Sequence, residues 1–247
     1  MLEGRIYCGP APEPTALLAR WNLDPWLLSA MAVLFALLWW RADDDAARRG
    51  AAVGALATAL VAFVSPLCAL SSALFSARIA HHLLLVGLAA PLIAWALPRR
   101  APVGLPLATL AQAAAIWLWH APEPYEAALS HPAIYWAMEL SLLGTAVVFW
   151  MALRARRDEW LGPLSALAAS MGQMGLLGAV LTFAGRAFYA PHATAPFAYG
   201  LTPLEDQQLA GLLMWAPGAL PYGLAALALT VRRLDLGRDE GAAPWRG

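Results

Sequence analysis

Residues 77–97 read ARIAHHLLLVGLAAPLIAWAL. A helix of about 20 apolar residues crosses the roughly 30 Å hydrocarbon layer of a bilayer, and after Arg78 this stretch carries no formal charge apart from two adjacent histidines, His81 and His82. A polar pair inside such a span costs free energy unless it is paired, solvated or bound to something. What those histidines face is therefore the first functional question.

The rest of the chain agrees with a membrane reading. It is 61% hydrophobic and 13% charged, whereas soluble domains are nearer half apolar and a quarter charged. Six further apolar segments join residues 77–97, at 25–40, 51–70, 103–119, 132–153, 163–185 and 208–231. The expectation is an all-α, polytopic membrane bundle of about seven transmembrane helices. A tail at 1–24 precedes the membrane domain at 25–231, and a second tail follows at 232–247. The connections are read as RADDDAARRG, a tight turn at Ser71-Ser72, PRRAPVG, HAPEPYEAALSH, RARRDEWLG and a longer loop before the last span. Prolines interrupt the first 20 residues, so they do not form the apolar core of a cleavable signal.

Arginine sets the expected orientation. The connections after the first, third and fifth segments, with the C-terminal tail, hold twelve arginines; Arg5, Arg20, Arg78 and Arg186 fall on the other side. This predicts an N-terminus outside and a C-terminus inside. Net charge is zero and the chain has no lysine, which removes both a basic surface for nucleic acid and Schiff-base chemistry.

On that topology all five histidines fall on the outer side, as do Cys8 and Cys68. Imidazole and thiolate are good copper ligands. The candidate metal ligands are His81, His82, His120, His131, Glu139, Asp206, Cys8 and Cys68. Glu139 lies eight residues into its span from His131 and shares a helical face with His131 and Tyr135, about 12 Å deeper. A carboxylate at that depth is a functional candidate, although Arg78 or Arg186 could pair with it. His81 and His82 point about 100° apart on a helix, which argues against both chelating one ion. Met171, Met174 and Met214 read as packing rather than ligands. Two cysteines form no framework; they can bridge, stay free or bind a soft metal, and in an oxidising compartment a bridge would remove both from the ligand set. In LTPLEDQQLAGLLMWAPG, Thr202 and Glu205 resemble a capping box, Pro203 takes the first helical position, Gly211 permits close packing, and Pro217-Gly218 would kink the helix. No catalytic motif of the G-x-S-x-G, H-E-x-x-H or phosphate-loop type occurs, so no enzymatic activity is expected.

Several blocks resemble CtaG-type cytochrome c oxidase assembly factors: YCGPAP with WNLDPWLL, SPLCALSSALFSARIAHHLLL, WLWHAPEPYEAALSHP, and LTPLEDQQLAGLLMWAPG, in order across residues 7–222. The resemblance implies a multi-pass protein of the bacterial inner (plasma) membrane that matures a haem-copper oxidase by supplying copper, Cu(I). Its implied partners are the cytochrome c oxidase subunits and a periplasmic copper chaperone. Matching polar positions are His82, His120, His131, Glu139, Asp206 and Gln207. The chain departs from the pattern where many members have histidine at the positions of Arg78, Tyr135 and Leu140, and glutamine at that of His81. Three functions follow: a copper-handling assembly factor, a metal-free structural subunit or scaffold of an oxidase complex, and a haem-binding membrane protein with two axial histidines.

Overall fold

The computed structural model describes residues 7–241, and among these it is all-helical with no strand. Helix α1 runs Pro25–Arg41, α2 Ala46–Ala59, α3 Pro66–Ala73, α4 Phe75–Leu84, α5 Ala90–Ala96, α6 Leu105–His120, α7 Pro122–Ser130, α8 Pro132–Ala155, α9 Leu161–Thr182 and α10 Pro203–Gly241. Arg5 and Arg246, counted in the charge bias, lie outside the described residues, as do the ends of both expected tails.

Five helical stretches have the length and apolarity of a span: Ala46–Val64, Phe75–Ala96, Pro132–Ala155, Leu161–Thr182 and Pro203–Leu234. Helix α1 has 17 residues and α6 has 16, or about 26 and 24 Å at 1.5 Å per residue. By length the expected seven spans therefore stand at five, and the fold alone does not fix the side of either terminus. Two connections also differ from expectation. The Ser71-Ser72 turn is part of α3, because Ser65 caps a new helix at Pro66 by accepting from Leu67 N; the break falls at extended Leu74 instead. HAPEPYEAALSH contains α7, with prolines at its start, where their missing N–H is harmless.

Two spans pass through a single π turn, Leu60–Val64 and Leu85–Ala89, and each turn precedes a proline. Ser65 N bonds Leu60 O and Ala90 N bonds Leu85 O, one residue beyond the α register. In that register Pro66 and Pro91 would face the carbonyls of Val61 and Val86 and cannot donate to them. Side chains fill both gaps. Ser65 Oγ donates to Val61 O at 2.6 Å, and Trp150 Nε1 donates to Val86 O at 3.0 Å. The second bond joins α8 to the π turn, so a local proline defect becomes a tertiary tie.

Packing places α9 along α10, α4 against α10, α6 against α8 and α2 against α5. Gly211 lies where α10 meets α9: a Cβ there would come within 2.5 Å of Gly178 O, which is the close approach its sequence context suggests. The capping box is present, with Glu205 accepting from Thr202 N at 2.7 Å and Glu205 N donating to Thr202 Oγ1 at 3.2 Å. Helix α10 continues through Pro217 and Pro221. Outward leucines and tryptophans on α1, α9 and α10 are exposed, as expected where lipid rather than water is the neighbour. The molecule is a membrane protein.

Candidate polar site inside the helix bundle

The site begins with the way α4 starts. Asp206, fully buried near the start of α10, accepts from Phe75 N at 2.6 Å, Ser76 N at 3.1 Å and Ser76 Oγ at 2.5 Å. A helix offers unsatisfied N–H groups and a partial positive charge at its first turn, and here a carboxylate from another helix meets both. Both oxygens of Asp206, expected from sequence as a metal ligand, are used in this way to cap α4.

Fixed by that cap, α4 presents Arg78, His81 and His82 at i, i+3 and i+4, one side of a helix. Facing them on α8 is Glu139. Arg78 Nη1 donates to Glu139 Oε1 at 3.1 Å and to Tyr135 Oη at 3.4 Å, and its guanidinium lies 5.3 Å from the centre of the Tyr135 ring. His81 Nε2 stands 3.3 Å from Glu139 Oε2, and His82 Nε2 stands 3.6 Å from Oε1. The two histidines diverge on the helix, as expected, yet both reach this carboxylate because its two oxygens spread toward them. Arg78, counted from sequence as an outer-face charge, has no exposure at all.

His120 closes α6 with its ring centre 5.6 Å from that of His82. Its Nδ1 lies 2.6 Å from Ile116 O. A carbonyl only accepts, so that nitrogen carries the proton and the Nε2 lone pair is free. Nε2 has no hydrogen-bond partner, and neither do both nitrogens of His81, both nitrogens of His82, or Glu139 Oε2. Buried polar atoms are ordinarily satisfied, so this cluster is unusual. Even so, among the described residues no set of three or more His, Cys, Asp or Glu side chains is arranged to hold a metal ion.

The N-terminal segment covers the site. Tyr7 stacks on Tyr135, ring centres 5.2 Å apart, and meets Trp136 edge-on at 4.8 Å. Its hydroxyl donates to Asp24 Oδ2 at 2.7 Å; burial first, and then that carboxylate, push the Tyr7 pKa up to about 12. Cys8 and Cys68 form a disulfide that fastens this segment to α3. Both thiolates are thereby lost as ligands, which corrects their placement in the candidate metal set. His131, expected with the cluster, is exposed at the N-cap of α8, where its carbonyl accepts from Tyr135 N at 2.9 Å.

Other polar positions resolve as structure. His192 accepts or donates through both ring nitrogens, to Tyr125 Oη at 2.7 Å and Ala73 O at 3.2 Å. Gln112 donates to Tyr222 Oη, and Gln207 accepts from Phe188 N while donating to the carbonyls of Leu181 and Arg186. Met174 and Met214 pack in the main core. Sequence reasoning offered Arg78 as one of two possible partners of Glu139, the one the structure shows, and missed Tyr7. Nothing local in the sequence marked Tyr7.

No curated protein and no solved structure matches this chain. The pattern of the cytochrome c oxidase caa3 assembly factor family (Caa3_CtaG) does match, over residues 104–235, a little over half of the sequence. His120, His131, Glu139 and Asp206 lie inside the matched stretch; His81, His82 and both cysteines precede it. The chain belongs to the cytochrome c oxidase caa3 assembly factor family.

Proposed function

We propose that this assembly factor handles Cu(I) for maturation of a haem-copper oxidase in the bacterial inner membrane, acting by ligand exchange rather than catalysis. One observation carries the reading: His120, tied through Nδ1 to Ile116 O, leaves an unpartnered Nε2 beside His82, whose nitrogens are also unpartnered. A histidine whose second nitrogen is held by a carbonyl is oriented as metal-binding histidines are. Neutral imidazole suits copper, and Cu(I) accepts two donors, so a preformed three-ligand cage is not needed for cargo that must leave again. Seven spans with the N-terminal tail outside agree with the arginine bias, and the Cys8–Cys68 bond agrees with a tail in an oxidising compartment. The partners in this reading are the oxidase subunits and a periplasmic copper donor.

A metal-free scaffold is the second reading. It is favoured by Arg78, which already compensates Glu139 without any ion. Copper content and the visible spectrum of the purified, reduced protein with Cu(I) added separate the two. Bound copper close to one per chain, falling at least tenfold in His82→Ala and His120→Ala and unchanged in His131→Ala, is expected. A protein that takes up no copper, or both histidine variants loading like the parent, overturns copper handling; a haem absorption band would redirect it to electron transfer.

A further inference from the structure

Where α5 ends and α8 meets α9, six arginines (Arg99, Arg100, Arg154, Arg156, Arg157 and Arg232) stand with two acids, Asp158 and Glu159. Three of the arginines are spent or balanced locally, as is the neighbouring α1–α2 connection, or lie outside the contacts that matter here. The α1–α2 connection sets Arg41, Arg48 and Arg49 against Asp43, Asp44 and Asp45, with Arg49 held by Asp44 at 2.9 Å. Arg154 donates to the carbonyls of Ala94 and Leu97, and Arg48 Nε to Ala96 O at 3.1 Å, which satisfies the negative end of α5. Arg156 pairs with Glu159 at 3.2 Å.

Arg99, Arg157 and Arg232 are left to share one carboxylate. Arg99 Nη2 donates to Asp158 Oδ2 at 2.6 Å and Arg232 Nη2 to Oδ1 at 3.0 Å, while Arg157 Nε stays 3.9 Å from Oδ1, beyond hydrogen-bond reach. Three positive charges face one negative charge. Their side chains are 32%, 38% and 45% exposed for Arg99, Arg157 and Arg232, so their donors are reachable from outside. Each guanidinium carries five N–H donors in a planar fork, which a phosphate accepts two at a time. The apolar border decides the source of that phosphate. Trp160 and Leu161, at the start of α9, are exposed, and Arg154 lies 4.9 Å from the centre of the exposed Trp95 ring. Tryptophan beside arginine at the end of a span is the pattern of the membrane–water interface, the level of lipid headgroups.

We propose that this end of the bundle binds one anionic phospholipid, its phosphodiester held by Arg99, Arg157 and Arg232 and its acyl chains lying against Trp160 and Leu161. Asp158 then has two roles: it gathers the three guanidinium groups, and its charge weakens their hold on the phosphate. The site is separate from the histidine cluster, and its test uses no metal.

The experiment counts lipids retained by the full chain in native mass spectrometry from neutral detergent, titrated with dioleoyl phosphatidylglycerol or with dioleoyl phosphatidylcholine, which has the same chains and no net charge. Saturable binding of about one phosphatidylglycerol per chain is expected, about tenfold tighter than phosphatidylcholine. Arg157→Gln and Arg232→Gln should each weaken phosphatidylglycerol about fivefold. Arg186→Gln, the same charge change beyond the far end of α9, should leave it unaltered. Asp158→Asn should tighten binding, a gain that damage to the fold would not produce. Equal binding of the two lipids, Arg157→Gln and Arg232→Gln both binding like the parent, an equal loss in Arg186→Gln, or weaker binding in Asp158→Asn overturns the proposal. So does full displacement of the lipid by an equal concentration of inorganic phosphate, which would make this a site for a free anion. Binding of a polyglutamate peptide with no preference between the lipids would reassign the face to an acidic protein partner.

Discussion

Two buried regions of this protein are built from the same residue types and end in opposite states. Around the start of α4, Asp206 and His192 are saturated: every oxygen of the carboxylate and both nitrogens of the ring have partners. One turn further along α4, Glu139, His81, His82 and His120 keep unpartnered atoms, although they are just as buried. A satisfied buried polar group fixes a fold. An unsatisfied one costs free energy in the resting protein. Residue type alone does not separate the two; partner counting does.

The largest effect expected from breaking this contrast is at Glu139. Glu139→Ala leaves the Arg78 guanidinium buried without its counter-charge, which costs roughly 3–5 kcal/mol, seen as loss of folded protein or a strong drop in thermal midpoint in detergent. The double variant Arg78→Met with Glu139→Leu should recover most of that stability. If the double variant is no more stable than Glu139→Ala, the pair is not what holds α4 to α8.

Asp206→Ala comes next. It removes the cap of α4 and its charged hydrogen bonds, worth about 2–3 kcal/mol together. Because Asp206 is structural, the protein that does fold should retain the ligand occupancy of the parent. A selective loss of bound copper at equal folded yield would move Asp206 back into the site.

The smallest effect near neutral pH belongs to His192. Burial holds its pKa down to about 4, below the 6.5 of a free histidine. The unfolded chain then takes up a proton first as pH falls, so this contribution is complete above about 6.5 and is lost progressively down to about 4, by about 1.4 kcal/mol per pH unit in between. Thermal midpoints of parent and His192→Gln should converge as pH drops through that window. Parallel curves would show that His192 is already charged in the fold.

Much of the site was legible as a list of residues. His81, His82 and Glu139 stand out as polar groups in apolar spans and His120 as an outer-end histidine on the same side, and the structure brings all four together. His131 and Asp206, read as candidates from their outer-side positions, are placed apart from these four. His131 sits at a helix end where water can reach it, and Asp206 reaches a neighbouring helix rather than the cluster. Sequence position along a span sets depth only approximately, and it says nothing about which neighbour lies across the gap.

The sequence by itself determined that this is a helical membrane protein, where most helices lie, the capping of α10 and the family, because these depend on apolar run length, local turn chemistry and family-like blocks read along one chain. Only the tertiary structure decided that Arg78 is the counter-ion of Glu139, that Cys8 and Cys68 are joined to each other, and that Tyr7 roofs the site. Those pairings link residues 61, 60 and 128 positions apart. They are set by how helices pack and rotate against one another, which no local pattern encodes.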